Sequence, residues 1–189
     1  MAVGILGGAF DPPHVGHVSL ARAALEQLEL DHLLVLVVAD PGHKVTTAPA
    51  DARLELARLA FADVAEAQVE LDRHARTVDS LEARMPEDAV FVVGADELAD
   101  FPSWKRPERV LELVRLGVAM RPGVPEHKLR DARARLPAPG RIEYFDMEPA
   151  SVSSTEIRDR VARGDRVDGL VSPAVARAIA RLGLYERAE

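Results

Sequence analysis

The sequence predicts an α/β fold: a doubly wound, mostly parallel sheet with helices on both faces. Short β-branched or apolar runs alternate with longer helix-like segments along the chain, the pattern of parallel strands joined by crossovers. The central run Leu33–Val38 is continuously apolar and not alternating, as expected of a strand covered on both faces. The polar residues best suited to chemistry cluster just after the predicted strands, where ligands bind in such sheets.

Each element has its own signal. Val3–Leu6 is apolar and runs into Gly7-Gly8, which reads as a strand entering a Gly-rich turn. Val15–Leu30 is rich in Ala, Leu and Glu at helical spacing. Strand Leu33–Val38 follows, then a helix over Asp51–Phe61, a short strand at Val69–Leu71 and a helix over Val78–Met85. Ala89–Val93 is the next buried strand, ending at Gly94-Ala95-Asp96. Pro107–Leu113 reads as a helix that begins on proline, Gly117–Met120 as a strand, and Glu126–Arg135 as a helix of mixed charge. Ile142–Phe145 is the last strand, and helices over Thr155–Arg163 and Pro173–Leu182 close the chain.

The 189 residues fit one domain, 1–189, and the twelve glycines and thirteen prolines are scattered as turns, not gathered into a linker. Apolar residues at 48% and charged residues at 29% provide a core and a soluble surface, which excludes a disordered chain. Without cysteine the chain has no disulfide, thiolate zinc site, iron–sulfur cluster or cysteine nucleophile. The net charge of -7 argues against sequence-independent nucleic-acid binding, yet allows a locally positive cleft for a small anion. No signal peptide or membrane-length apolar run is evident, so a cytoplasmic location without membrane contact is expected. Homo-oligomerisation is left open.

The first loop, Gly7-Gly8-Ala9-Phe10-Asp11-Pro12-Pro13-His14-Val15-Gly16-His17, is neither a P-loop nor a dinucleotide fingerprint. It offers a different anion cradle. Gly7 and Gly8 permit close backbone approach, and the helix start offers N–H groups and a favourable dipole. His14 and His17, three apart on the first turn, share a face and can donate to a polyphosphate, while Gly16 leaves room for a bulky ligand. A histidine metal pair is a rival reading, but no third ligand is offered nearby.

These residues, Gly-Gly-x-Phe-Asp-Pro-x-His-x-Gly-His, resemble the signature of the nucleotidyltransferase superfamily in the form found in bacterial nicotinate-nucleotide adenylyltransferases. Val152-Ser153-Ser154-Thr155-Glu156-Ile157-Arg158 resembles the superfamily's second motif, and reads physically as a capped helix start whose arginine can reach the same site. Gly94-Ala95-Asp96 with Trp104-Lys105 is similar to the stretch that separates this family from phosphopantetheine enzymes. Asp40-Pro41-Gly42-His43-Lys44 resembles a family loop with Gly in place of a second Pro, and Leu184-Tyr185 its C-terminal ending. Arg76 stands where the family usually has Tyr, ahead of Thr77-Val78-Asp79-Ser80-Leu81; it could strengthen recognition of a carboxylate or signal another substrate.

The resemblance implies a Rossmann-like nucleotidyltransferase fold and transfer of an adenylyl group from ATP to nicotinate mononucleotide, giving deamido-NAD and pyrophosphate. It implies that His14, His17 and Arg158 act on the triphosphate in catalysis. Gly7, Gly8, Ala9, Phe10, Gly94, Asp96, Ser153 and Ser154 would bind ATP, with Asp96 a candidate acceptor for ribose hydroxyls. Lys44, Thr77 and Trp104 would bind the mononucleotide, Trp104 by stacking on a pyridine ring. Magnesium would be held mainly by substrate phosphates, with no metal ligands from the protein. Other readings stay open: nicotinamide mononucleotide or phosphopantetheine as acceptor, or a non-catalytic nucleotide sensor. His32, His74 and His127 match no motif, and Arg121 lies in a turn that borders the site or caps a helix.

Overall fold

The computed structural model describes residues 1–42, 45–120, 131, 134, 136, 138–148 and 150–186. Six strands form one sheet: β1 (Val3–Gly8), β2 (His32–Val38), β3 (Ala67–Asp72), β4 (Ala89–Gly94), β5 (Arg115–Met120) and β6 (Ile142–Asp146). Their order is β3-β2-β1-β4-β5-β6, and every neighbouring pair is parallel. The expected mostly parallel sheet is therefore wholly parallel. The chain leaves β1 toward β2 and later crosses to β4 on its other side, so the switch point lies between β1 and β4.

Seven α-helices are described: α1 (Val15–Gln27), α2 (Ala50–Ala60), α3 (Thr77–Arg84), α4 (Ala95–Asp100), α5 (Pro107–Leu113), α6 (Ser154–Ala162) and α7 (Pro173–Arg181). The strand period of two sorts the core between the sheet's faces. Leu6, Val35, Val37, Val90 and Val92 pack with α1 and Phe61 on one face. Ile5, Leu36, Phe91 and Val93 pack with α3, α4 and α5 on the other. A third cluster joins α2, α6 and α7 through Leu56, Ile157, Val175 and Ile179.

Two features differ from the sequence expectation. Gly7 and Gly8 are not in a turn; they end β1, opposite Leu36 and Val37 of β2. The bend comes at Phe10, which is left-handed at φ 49°. Second, Ala95–Asp100 forms a helix where only a strand end was expected, followed by a 3-10 turn over Phe101–Ser103. Its six residues are too few to show a helical period, and its start is set by the Glu97 carboxylate accepting the Gly94 N–H at 2.9 Å. The expected helix over Glu126–Arg135 lies almost wholly outside the described residues, as do His43, Lys44, Arg121 and His127.

Candidate active site

A cleft of about 1420 Å³ opens at the carboxyl ends of β1, β2 and β4, over the switch point. The first loop, the starts of α3 and α4, the Ser103–Lys105 segment and the start of α6 line it. Thus Gly7, Gly8, Ala9, Phe10, His14, His17, Thr77, Gly94, Asp96, Trp104, Ser153, Ser154 and Arg158 all border one cavity. Lys44 lies outside the described residues.

His14 is the N-cap of α1 and His17 its third helical residue. Their rings stack, with centroids 3.8 Å apart and planes 28° apart. The His14 backbone N–H donates to Nδ1 of His17 at 3.2 Å, the place a Glu or Gln takes in a capping box. With Nδ1 accepting, a neutral His17 carries its proton on Nε2. The buried Phe10 ring meets His17 edge-on at 5.0 Å and itself rests on Phe61 at 5.9 Å. Phe10 therefore contributes its ring as the floor under His17.

The glycines make room for protein before ligand. A Cβ on Gly8 would lie 3.0 Å from the Phe10 ring, and one on Gly16 would lie 3.1 Å from His14 and 3.2 Å from Ala150. Three of the amides at the helix start also have partners within the protein: His14 on His17 Nδ1, Val15 on the Leu170 carbonyl at 3.0 Å, and His17 on the His14 carbonyl at 3.0 Å. The helix start thus has fewer backbone amides to offer an anion than the sequence suggests.

Ser153 caps α6, its Oγ accepting the Glu156 N–H at 3.1 Å. Ser154 donates its hydroxyl to the Pro12 carbonyl at 2.8 Å, which ties α6 to the first loop. Ile157 is fully buried, which turns Arg158, one position on, toward the cleft. Nη1 of Arg158 donates to the Asp11 carbonyl at 2.7 Å and Nη2 to Thr155 Oγ1 at 3.2 Å. Two of the five guanidinium N–H groups make these bonds, so the rest can serve a ligand beside His14 and His17.

Beneath the cleft lies a buried polar hub that the sequence did not disclose. Arg53 of α2, 1% exposed, donates to the carbonyls of Ala48, Ala9, Val38 and Ala39 at 2.7–3.0 Å. Burial lowers its pKa against the raising influence of Asp11. Asp11, itself buried, accepts from the Thr47 and Ala48 amides and from the Tyr185 hydroxyl at 2.8 Å. Burial, and then the Asp11 charge, pushes the Tyr185 phenol well above its ordinary range, so it stays a donor. Arg53 sits among Leu54, Leu56 and Ala57, and no local pattern marks it as different from a solvated helix arginine.

At the β4 end, Asp96 and Glu97 both line the cleft. Burial, reinforced by the Asp96 charge, raises the pKa of Glu97. On the opposite wall, Thr77 opens α3 and Arg76 is its N-cap, exposed and beside Gly42. Trp104 is half-buried, its ring propped by Phe101 at 5.1 Å and edge-on to Phe91 at 6.1 Å. His74, which matched no motif, also lines the cleft and pairs with the buried Asp72 at 2.7 Å. His32 is exposed. No cluster of three metal-ligating side chains occurs among the described residues, and none of their helices is long and apolar enough to cross a membrane.

The cytidylyltransferase-like family matches residues 5–160. A probable nicotinate-nucleotide adenylyltransferase of Thermus thermophilus is 42% identical, covering 98% of this chain and all of the relative. One of Exiguobacterium sibiricum is 37% identical over 98% of this chain and 99% of its own length. Among solved structures, a Plasmodium falciparum nicotinic acid mononucleotide adenylyltransferase complexed with NaAD superimposes with a TM-score of 0.76. At 17% identity over 97% of each chain, it speaks for the fold alone.

Proposed function

The chain belongs to the nicotinate-nucleotide adenylyltransferase family within the cytidylyltransferase-like proteins, and on that premise we propose that it joins the adenylyl group of ATP to nicotinate mononucleotide. A phosphate oxygen of the mononucleotide attacks the α-phosphorus of ATP. The bond from that phosphorus to the bridging oxygen breaks, and pyrophosphate departs with its electron pair, leaving deamido-NAD. The attacking oxygen is already ionised at neutral pH, so no general base is required.

What the protein must supply is alignment of two anions and stabilisation of charge on the leaving group. The observation that carries the reading is the stacked pair His14 and His17, which lines one cleft with Arg158, Thr77 and Trp104. In this reading the imidazoles and Arg158 hold the triphosphate and meet the charge that grows on its β-phosphate. Ser153 keeps its hydroxyl proton for a phosphate oxygen while its lone pair caps α6. Asp96 accepts from a ribose, and Thr77 and Trp104 receive the pyridine end. Lys44 binds the acceptor's phosphate.

The donors at the triphosphate end are imidazole, hydroxyl and guanidinium, which address phosphate oxygens and not a hard cation. Magnesium fits here as a passenger on the phosphates, where it would offset their charge. A cytoplasmic protein fits these substrates.

The test is pyrophosphate release with ATP, magnesium and either nicotinate mononucleotide, nicotinamide mononucleotide or phosphopantetheine. The expected result is the highest kcat/KM for nicotinate mononucleotide, with deamido-NAD as product. ATP binding without pyrophosphate from any acceptor would instead mark a sensor.

A further inference from the structure

The acceptor end of the cleft has two walls from different parts of the chain: α3, which opens with Thr77, and the segment carrying Trp104 into α5. A lattice of charges joins them. Asp79, on the first turn of α3, accepts Lys105 Nζ on both oxygens, at 2.8 and 2.9 Å. Arg106 Nη2 stands 3.8 Å from the same carboxylate. One turn along, Glu82 takes Arg106 on both oxygens and Arg109 at 3.1 Å. Arg106 is left-handed at φ 50° although it precedes a proline, a costly conformation that persists only where its surroundings over-determine it.

We propose that the Asp79–Lys105 ion pair is a positioning clamp that sets the spacing between Thr77 and Trp104, and so the fit of the pyridine nucleotide. Asp79 lies two residues after Thr77 and Lys105 one residue after Trp104, so the pair fixes each wall close to its contact residue. The packing of Trp104 on Phe91 and Phe101 restrains its ring from the core side, and the Asp79–Lys105 pair, with Arg106 more loosely placed on the same carboxylate, joins that segment to the first turn of α3. Lys105 also lines the cleft, yet Asp79 neutralises it, so it acts through the wall and not as a free cation. The proposal rests on the pyridine nucleotide being the acceptor.

The experiment compares wild type with Asp79→Asn, Lys105→Met, the double variant and the conservative Lys105→Arg. Steady-state kinetics and acrylamide quenching of the single tryptophan in the ligand-free protein provide two readouts. The expected outcome is a KM for nicotinate mononucleotide raised roughly 3-fold to 5-fold by either single change, the scale of one partly exposed pair. The KM for ATP and kcat should hold, the double variant should be no worse than either single, and Lys105→Arg should restore the wild-type value. Quenching should rise in both single variants. Equal effects on the KM for ATP, multiplying losses in the double variant, or unchanged quenching would overturn the clamp. Should Asp79→Asn fail to fold, Lys105→Met against Lys105→Arg carries the same comparison. If no acceptor supports turnover, the quenching series still decides the clamp separately from the substrate assignment.

Discussion

Replacing His17 separates catalysis from folding, because its ring does two jobs. Its Nδ1 accepts the His14 backbone N–H, and its other nitrogen, which carries the proton, is the donor assigned to the triphosphate. His17→Ala removes both. Losing one preorganised donor lowers turnover by roughly 10²–10³, or about 3–4 kcal/mol of transition-state stabilisation. Losing the cap acceptor costs about 1 kcal/mol of stability, a fall in Tm of roughly 2–4 °C for a chain of this size. His17→Gln divides the two, since glutamine at this position restores a capping-box acceptor but does not put a donor where imidazole Nε2 stands. It should regain most of the lost Tm and little of the lost kcat. Pyrophosphate release and thermal unfolding of both variants check this. A glutamine variant as active as wild type, or an alanine variant within threefold of it, would remove His17 from the mechanism.

Other outcomes follow from the same geometry. Arg53→Met withdraws donors from four buried carbonyls and should cost about 3–5 kcal/mol, seen as a Tm lower by roughly 6–20 °C; a change under about 3 °C would count against the hub. Because the folded pKa of Glu97 lies above its ordinary 4.5, the folded state binds more protons there than the unfolded one, and stability falls as pH rises above that value. Glu97→Gln keeps an acceptor for Gly94 without the charge, so denaturation midpoints compared at about pH 5 and about pH 8 should decline less than in wild type. Arg76→Ala should lower kcat/KM for nicotinate mononucleotide by roughly fivefold, the limit for an exposed charge, and affect the nicotinamide compound less; equal losses on both would show that Arg76 does not read the carboxylate.

Local chemistry determined much of this protein from its sequence alone. Continuous apolar runs marked β2 and β4, an apolar run before Gly7-Gly8 marked β1, and a cap at Ser153 or Ser154 marked the start of α6, because burial and capping write themselves into adjacent residues. The same holds for the histidine pair, since three residues on a helix turn is a local distance. What only tertiary structure decided involves partners far apart in the chain. Arg158 reaches Asp11 across 147 positions, Tyr185 reaches Asp11 across 174, and Arg53 joins loops that no periodicity connects. Their pairing depends on where the crossovers of the sheet bring the chain back, and a buried arginine satisfied by backbone carbonyls looks, residue by residue, like one on a solvated helix. Gly8 and Gly16, read from the sequence as room for a ligand's approach, also clear space for the rings of Phe10 and His14, because the neighbours of a residue are known only once the chain is folded.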